Sequence, residues 1–148
     1  MKKWKGNMPK PLKEQFVKEK IVNWLFRNGW GRNLRIGELG KPGVDIRVRH
    51  NEYARYFLIE TKGEGKSRQV DDGTFVNGLG QLITRMETGA KYRYGLGLPY
   101  KSADIALKRV PWQIAKKLWL SIFSVDKKGK VKHYEWKEIK EFQIRNNR

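Results

Sequence analysis

Two adjacent segments with the periodicity of β-strands constrain the fold of this chain more than any other feature. From Val44 to Arg49 apolar and charged residues alternate, which predicts a half-buried strand with Asp45 on its polar face. After a polar turn at residues 51–54, the apolar run from Tyr56 to Lys62 predicts a second, more deeply buried strand. The short connection predicts that the two strands form an antiparallel hairpin.

This hairpin is expected to bring two carboxylates together. With a short loop at its tip, we expect Arg49 to pair with Arg55. At the other end Asp45 is expected to lie opposite Glu60, with Cβ atoms about 4.5–5.5 Å apart. Facing carboxylates repel each other, and Glu60 also interrupts an apolar run, where a charge is costly unless it is paired. Lys62, two positions beyond Glu60, shares its face. The pattern predicts a divalent metal site at the carboxylates with an amine beside it.

Charge and composition favour a polyanionic partner. The 148 residues fit a single domain, and 33 Lys and Arg against 15 Asp and Glu leave a formal net charge of +18. Nucleic acid is the expected partner, because clustered cations neutralise phosphates and release counterions. The absence of cysteine excludes disulfides and thiolate metal sites. No apolar run reaches membrane-spanning length and no secretory signal is visible, so we expect no membrane partner and a cytoplasmic location.

Turn residues and periodicity divide the rest of the chain into alternating helices and strands. Helices are predicted from Pro11 to about Asn28 and from about Phe75 to Glu87, and strands near Asn33–Ile36 and from Tyr92 to Leu98. The apolar stripe predicted for the second helix comprises Leu79, Leu82, Ile83 and Met86. This order predicts an α/β core over about residues 11–98. Residues 99–148 are expected to be accessory, with short helices, a β-hairpin around 126–129 and a final helical turn at 137–142.

The residues around the carboxylates resemble a known signature. Gly43-Val44-Asp45-Ile46 followed by Leu58-Ile59-Glu60-Thr61-Lys62-Gly63 is similar to the PD-(D/E)XK nuclease superfamily. This superfamily has a restriction-endonuclease-like fold, and Holliday junction resolvases, VRR-NUC domains and RecB-type nuclease domains belong to it. The resemblance covers about residues 13–98 and departs from the signature at Val44, where the family has proline. It implies hydrolysis of nucleic-acid backbones with Mg²⁺, or Mn²⁺ as a substitute, with Asp45 and Glu60 as metal ligands and Lys62 as the catalytic lysine.

Further site residues are suggested on the helices and beside the glutamate. The resemblance implies that Glu14, on the first helix, positions the metal or a water, and that Gln81 is an auxiliary catalytic residue. Arg85 stands where some relatives carry a tyrosine. The backbone carbonyl of Thr61 lies between Glu60 and Lys62 and is an additional candidate ligand. The alternative for Glu14 is an ordinary helix-start glutamate favoured by the helix dipole. The alternative for Gln81 and Arg85 is a solvated helix face.

Five basic residues are candidates for contacts with the phosphate backbone: Arg47, Arg49, Lys66, Arg68 and Arg85. Arg47 and Arg49 share the predicted face of Asp45. Lys66 and Arg68 fall in a glycine-rich segment expected to be a flexible loop that closes over substrate. Each of these charges is equally compatible with a role in solubility.

Together these features predict a Mg²⁺-dependent DNA endonuclease of restriction-endonuclease-like fold with a C-terminal helical and β-hairpin extension. Two alternatives remain open: a non-catalytic basic nucleic-acid-binding module whose carboxylates are structural, and an RNA-directed nuclease of the same fold. Because both strands of a duplex must be cut, a homodimer is a reasonable expectation. The six tryptophans are expected in the core or at interfaces rather than as base-stacking platforms.

Overall fold

A six-stranded mixed sheet forms the centre of the computed structural model, which describes residues 11–37, 43–65 and 68–146, with only the backbone of 68–72. The strands lie side by side in chain order: β1 (Trp30–Ile36), β2 (Ile46–His50), β3 (Tyr56–Thr61), β4 (Tyr92–Pro99), β5 (Leu120–Val125) and β6 (Val131–Tyr134). Five helices are found within these ranges: α1 (Glu14–Arg27), α2 (Arg68–Thr84), α3 (Tyr100–Arg109), α4 (Trp112–Leu118) and α5 (Trp136–Arg145).

The sheet combines antiparallel ends with a parallel centre. Strands β1, β2 and β3 pair antiparallel, β3, β4 and β5 pair parallel, and β6 returns antiparallel to β5. Helices fill both parallel connections, α2 between β3 and β4 and α3 with α4 between β4 and β5, as parallel crossovers require. The expected α/β class is therefore confirmed, and the expected order of helix, three strands, helix and strand is observed. The described residues after 99 continue the same sheet through β5 and β6.

Pairing at β1 is irregular. Its register against β2 shifts on either side of Arg32, and Asn33 adopts a left-handed conformation with φ of 53°. Asparagine is among the residues that tolerate this conformation best. The expected short strand near Asn33 therefore begins earlier, at Trp30, and is bent rather than regular.

Apolar side chains form one cluster on each face of the sheet. On one face α1 buries Val17, Ile21 and Leu25, which recur every four residues, against Ile46, Phe57, Ile59 and Phe123 of the strands. Glycines in β4 make this close approach feasible, since a Cβ at Gly97 would lie 2.3 Å from Cδ1 of Ile21. Helices α2 to α5 cover the other face. The site residues on β3 belong to this second face, because Glu60 and Lys62 alternate with Ile59.

Helix α2 differs most from the prediction. It begins at Arg68, inside the segment that was expected to be a flexible loop, so that expectation is wrong for Arg68. Its buried face also differs, since Leu82 is buried while Ile83 is 46% exposed. Glycines at several positions made the N-terminal half look like a loop, whereas tertiary packing, here of the buried Phe75, favours a helix.

The C-terminal region is more regular than predicted. The expected turn at residues 137–142 is part of α5, which is ten residues long and is started by a capping box between Glu135 and Glu138. Strand β5 lies inside the sheet between β4 and β6, with Ile122, Phe123 and Val125 fully buried. None of the helices in the described ranges is long and apolar enough to cross a membrane.

Candidate active site

The β2–β3 hairpin brings Asp45 and Glu60 together at its open end. The register pairs Ile46 with Ile59, and one further step places Asp45 opposite Glu60, as the sequence predicted. The two carboxyl groups are close enough to share a hydrogen bond. The expected pairing of Arg49 with Arg55 is wrong by one position, because Arg49 pairs with Tyr56. Counted along the strands, the expected pairing would have set Ile59 opposite Asp45, and the observed register brings Glu60 there instead.

Glu60 is a buried carboxylate under electrostatic strain. Glu60 is only 1% exposed. A single guanidinium nitrogen of Arg85 lies 3.0 Å from Oε1 and 2.8 Å from Oε2 of Glu60. Burial and then the neighbouring Asp45 carboxylate raise the pKa of Glu60 to about 7, against the opposing effect of Arg85. Burial and repulsion therefore exceed what Arg85 compensates.

Thr61 fixes the orientation of Asp45. Its backbone N–H donates to Oδ2 of Asp45 at 2.8 Å, and its hydroxyl donates to the same oxygen at 3.1 Å. Thr61 is fully buried, so both donors are held in place by the sheet. The sequence proposed its carbonyl as a ligand and missed this positioning role, although a Thr flanked by Glu60 and Lys62 was a visible signal for a side-chain donor at the site.

Lys62 leaves the end of β3 on the same face as Glu60. Its positive charge lowers the pKa of Glu60 and of Glu14, as the smallest of the effects on each, so its ammonium is within electrostatic range of both carboxyl groups. Its aliphatic stem passes Gly78 of α2, where an added Cβ would lie 3.2 Å from Cγ of Lys62. Sequence reasoning did not identify Gly78, which allows the helix to approach the lysine.

Glu14 is brought beside this group by the start of α1. The backbone there packs on the loop after β3, since a Cβ at Gly63 would lie 2.7 Å from the Glu14 nitrogen. Burial and then the Asp45 carboxylate raise the pKa of Glu14. Across the described ranges, however, no three His, Cys, Asp or Glu side chains are grouped closely enough to hold a metal ion. Glu14 lies near the pair without completing a cluster of three acids.

The two candidates on and after α2 occupy different environments. Arg85 follows the helix and turns in to Glu60, so the alternative of a solvated position is wrong for it. Gln81, one turn earlier, is half-buried. Within the described part of the chain, no contact of its side chain with Asp45 or Glu60 is found.

A cleft of about 450 Å³ is lined by Val44, which precedes Asp45, and by Arg85, which contacts Glu60, while neither carboxylate lines it. Arg35, Arg47 and Arg85 are among the residues that line it. The guanidinium carbon of Arg47 lies 5.1 Å from the ring centre of Tyr56, and one nitrogen lies 3.7 Å from a carboxylate oxygen of Glu87. Arg35 was not among the sequence candidates, because the irregular pairing of β1 obscures which residues face the cleft.

The other predicted cations are less closely associated with the pair. Arg49 is half-buried and donates to the His50 carbonyl at 3.3 Å. Lys66 and the side chain of Arg68 lie outside the described residues, so their expected contacts with substrate stay predictions.

Comparisons with protein-family models, with curated proteins and with solved structures found no match to this chain.

Proposed function

We propose that this protein is a Mg²⁺-dependent endonuclease that hydrolyses phosphodiester bonds in DNA, with Asp45, Glu60 and Lys62 at its centre. The observation that carries the proposal is the half-buried Asp45 carboxylate held against the buried Glu60 carboxylate, next to a cleft lined by arginines. Two carboxyl groups this close repel each other, and Arg85 offsets only part of that cost, so their presence favours a functional role. The order of helices and strands supports a restriction-endonuclease-like core.

The donor set fits a hard divalent cation. Asp45 and Glu60 supply carboxylate oxygens, which Mg²⁺ prefers, and the hydrogen bonds from Thr61 to one Asp45 oxygen fix that side chain in advance. A second positive charge at the pair would remove the repulsion that Arg85 leaves uncompensated. When bound, Mg²⁺ supplies Lewis acidity toward the phosphoryl group and lowers the pKa of water.

The protein side chains have separate roles in this proposal. Lys62 orients the attacking water and stabilises negative charge that develops on the phosphate, since it follows β3 on the face of Glu60 and its charge acts on that carboxyl group. Arg35 and Arg47, on the wall of the cleft, bind the phosphate backbone of the DNA. Glu14 acts as a neighbouring acid that positions water rather than as a direct ligand, and Gln81 is an auxiliary residue.

One observation favours the alternative of a non-catalytic nucleic-acid-binding module. Arg85 contacts both oxygens of Glu60, an arrangement that is typical of a structural ion pair. In a structural role the Glu60–Arg85 pair would complete the site. In the nuclease, Asp45 and Glu60 would hold the metal, and Arg85, which lines the cleft, would be available to the phosphate.

Nicking of supercoiled plasmid tests the proposal. We expect Mg²⁺-dependent nicking that Asp45→Asn and Lys62→Ala each reduce by about a hundredfold or more. Asp104→Asn, at an exposed ion pair on α3, and Lys117→Ala, at an exposed position on α4, are matched controls that keep full activity.

Plasmid binding without nicking in either Mg²⁺ or Mn²⁺ overturns the nuclease proposal and favours the binding module. Parallel incubation with structured RNA distinguishes the RNA-directed alternative, which is supported if RNA is cut and the plasmid is not.

A further inference from the structure

A second cavity lies near the start of the parallel strands, at Arg93 of β4 and Leu120 of β5, whereas the carboxylate pair lies where β3 ends. It measures about 560 Å³, in the range of small-molecule sites, and it is lined by aromatic rings together with two arginines. Phe57 of β3 lines it and packs in the cluster on the α1 face. Glu60, three positions further along the same strand, points to the other face and lies about 10 Å away along the strand. The cavity is therefore separate from the candidate active site.

Trp119 is the most unusual residue at this cavity. It ends α4 in the left-handed conformation, with φ of 54° and ψ of 43°, and is 51% exposed. Glycine is the usual residue at such a helix end, because a side chain strains the backbone there. A half-exposed indole adds the cost of apolar surface in water. Trp119 thus has both an unfavourable backbone conformation and an exposed apolar side chain. Such departures from local preference are typical of functional surfaces in folded proteins.

Two guanidinium groups accompany the indole. The guanidinium carbon of Arg93 lies 4.0 Å from the ring centre of Trp119, and one of its nitrogens donates to the carbonyls of Ala90 and Tyr92. Arg55 lines the same cavity, and its charge acts on Arg93. In the described ranges neither arginine has a carboxylate oxygen within 4.0 Å.

The one acidic residue lining the cavity is already engaged. The Glu135 side chain accepts from the backbone at the start of α5 as part of its capping box. Burial and then repulsion by Arg55 lower the pKa of Arg93, with only Glu135 acting in the opposite direction. The arginine pair therefore favours an anion that comes from outside the chain.

We propose that this cavity binds an unpaired nucleotide of a nucleic-acid strand, with the base stacked on Trp119 and its phosphate held by Arg55 and Arg93. A nucleotide is the ligand class that combines a flat aromatic group with an adjacent anion, matching the indole and the two guanidiniums. An acidic peptide satisfies the arginines but offers no flat aromatic group to the exposed indole. The net charge of +18 favours retention of a polyanion. Binding of a nucleotide in this cavity does not depend on the proposed hydrolysis at Glu60.

Binding of a labelled single-stranded oligothymidylate and of a labelled duplex, both in EDTA, tests the proposal. Trp119→Gly removes the stacking surface and relieves the backbone strain. We expect it to weaken single-strand binding about tenfold or more while duplex affinity changes less than about twofold. The thermal unfolding midpoint should stay the same or rise. Phe26→Ala, which removes an aromatic that is also 51% exposed but lies outside the cavity, is the matched control.

Arg93→Gln tests the phosphate contact against Lys117→Gln, which removes one exposed charge elsewhere on the surface. Trp119→Asn serves as a second variant that tolerates the left-handed conformation. Competition by thymidine monophosphate distinguishes a free nucleotide from one within a strand. If thymidine monophosphate displaces the oligothymidylate and this displacement depends on Trp119, the cavity recognises the base and phosphate of a single nucleotide, as proposed.

Three results overturn the proposal. The first is that Trp119→Gly behaves like Phe26→Ala. The second is that single-strand and duplex binding weaken equally, which indicates general electrostatics. The third is that polyglutamate, but not the monophosphate, competes in a manner that depends on Trp119, which identifies an acidic peptide as the occupant.

Discussion

Glu60 is expected to lower the stability of the fold and to take part in the proposed chemistry. Burial and the adjacent Asp45 raise its pKa to about 7, so above that pH the folded protein holds a charge that the unfolded chain carries more easily. A purely structural carboxylate paired with Arg85 would instead stabilise the fold. The sign of its contribution to stability therefore distinguishes the two roles.

We predict that Glu60→Gln abolishes nicking yet increases the free energy of unfolding by about 1–3 kcal/mol in EDTA, at a pH above 7. The neutral amide removes the repulsion from Asp45 and keeps the shape of the side chain. Chemical denaturation of both proteins measures the difference, and added Mg²⁺ should reduce it by stabilising the wild type. A loss of stability in the variant would show that the contact with Arg85 is the purpose of the glutamate.

His133 predicts a pH dependence away from the candidate site. Burial among Trp24, Phe57 and Phe123 lowers its pKa from 6.5 to about 4, and the Ser121 hydroxyl lies 2.8 Å from its Nε2. The charged groups lining the adjoining cavity are Arg55, Arg93 and Glu135. As pH falls below 6.5, His133 becomes protonated in the unfolded chain, whereas in the folded protein it stays neutral until about pH 4. The folded protein therefore loses stability over this range.

Relative to His133→Gln, the wild type should lose about 3 kcal/mol of unfolding free energy between these pH values. Urea denaturation of both proteins at a series of pH values measures the difference, in which the contributions of the carboxylates cancel. A constant difference across the range would contradict the assigned burial of the imidazole.

At the level of helices and strands, Gly78 controls how closely α2 approaches Lys62. A Cβ at this position would lie 2.9 Å from Cδ1 of Leu96 and 3.2 Å from Cγ of Lys62, whereas nothing lies within 4 Å of a Cβ at Gly80. The two glycines are on the same helix, so the second is a close control for the effect of alanine on helix propensity.

We predict that Gly80→Ala stabilises the protein by about 0.5–1 kcal/mol and leaves nicking unchanged. Gly78→Ala should lower the nicking rate about tenfold or more, because α2 or the Lys62 stem has to shift and small displacements of a catalytic group are costly. Rates on plasmid and thermal unfolding of both variants test this. Equal nicking by both would mean that Lys62 adjusts freely and is not positioned by the helix.

Local patterns predicted some elements well and others poorly, for physical reasons. The alternation at Val44–Arg49 and the apolar run from Tyr56 specify a hairpin whose partners are close in sequence, so Asp45 and Glu60 could be placed together in advance. The orientation of Arg85 could not, because apolar residues on α2 such as Val76 and Ile83 are exposed and disguise its buried face. The central position of β5 depends on long-range pairing that periodicity does not encode.

Across the whole molecule, the net charge of +18 dominates the expected affinity for nucleic acid. Because each neutralised phosphate releases counterions, DNA affinity should fall on the order of a thousandfold between about 50 and 200 mM salt. Fluorescence anisotropy with a duplex of arbitrary sequence measures this slope. A shallow slope would indicate that the cations of the cleft contribute little and that binding depends on other contacts.

The irregular strand β1 determines how copies of the protein can associate. The register shifts around Arg32 make the hydrogen bonding of this edge strand irregular. At the other edge of the sheet, β6 has only four residues and an exposed Lys132. Short, bulged or charged margins prevent a strand of another molecule from being added in register. Fibrillar stacking through the sheet is thereby disfavoured, and a symmetric pair of subunits would have to join through helices or loops.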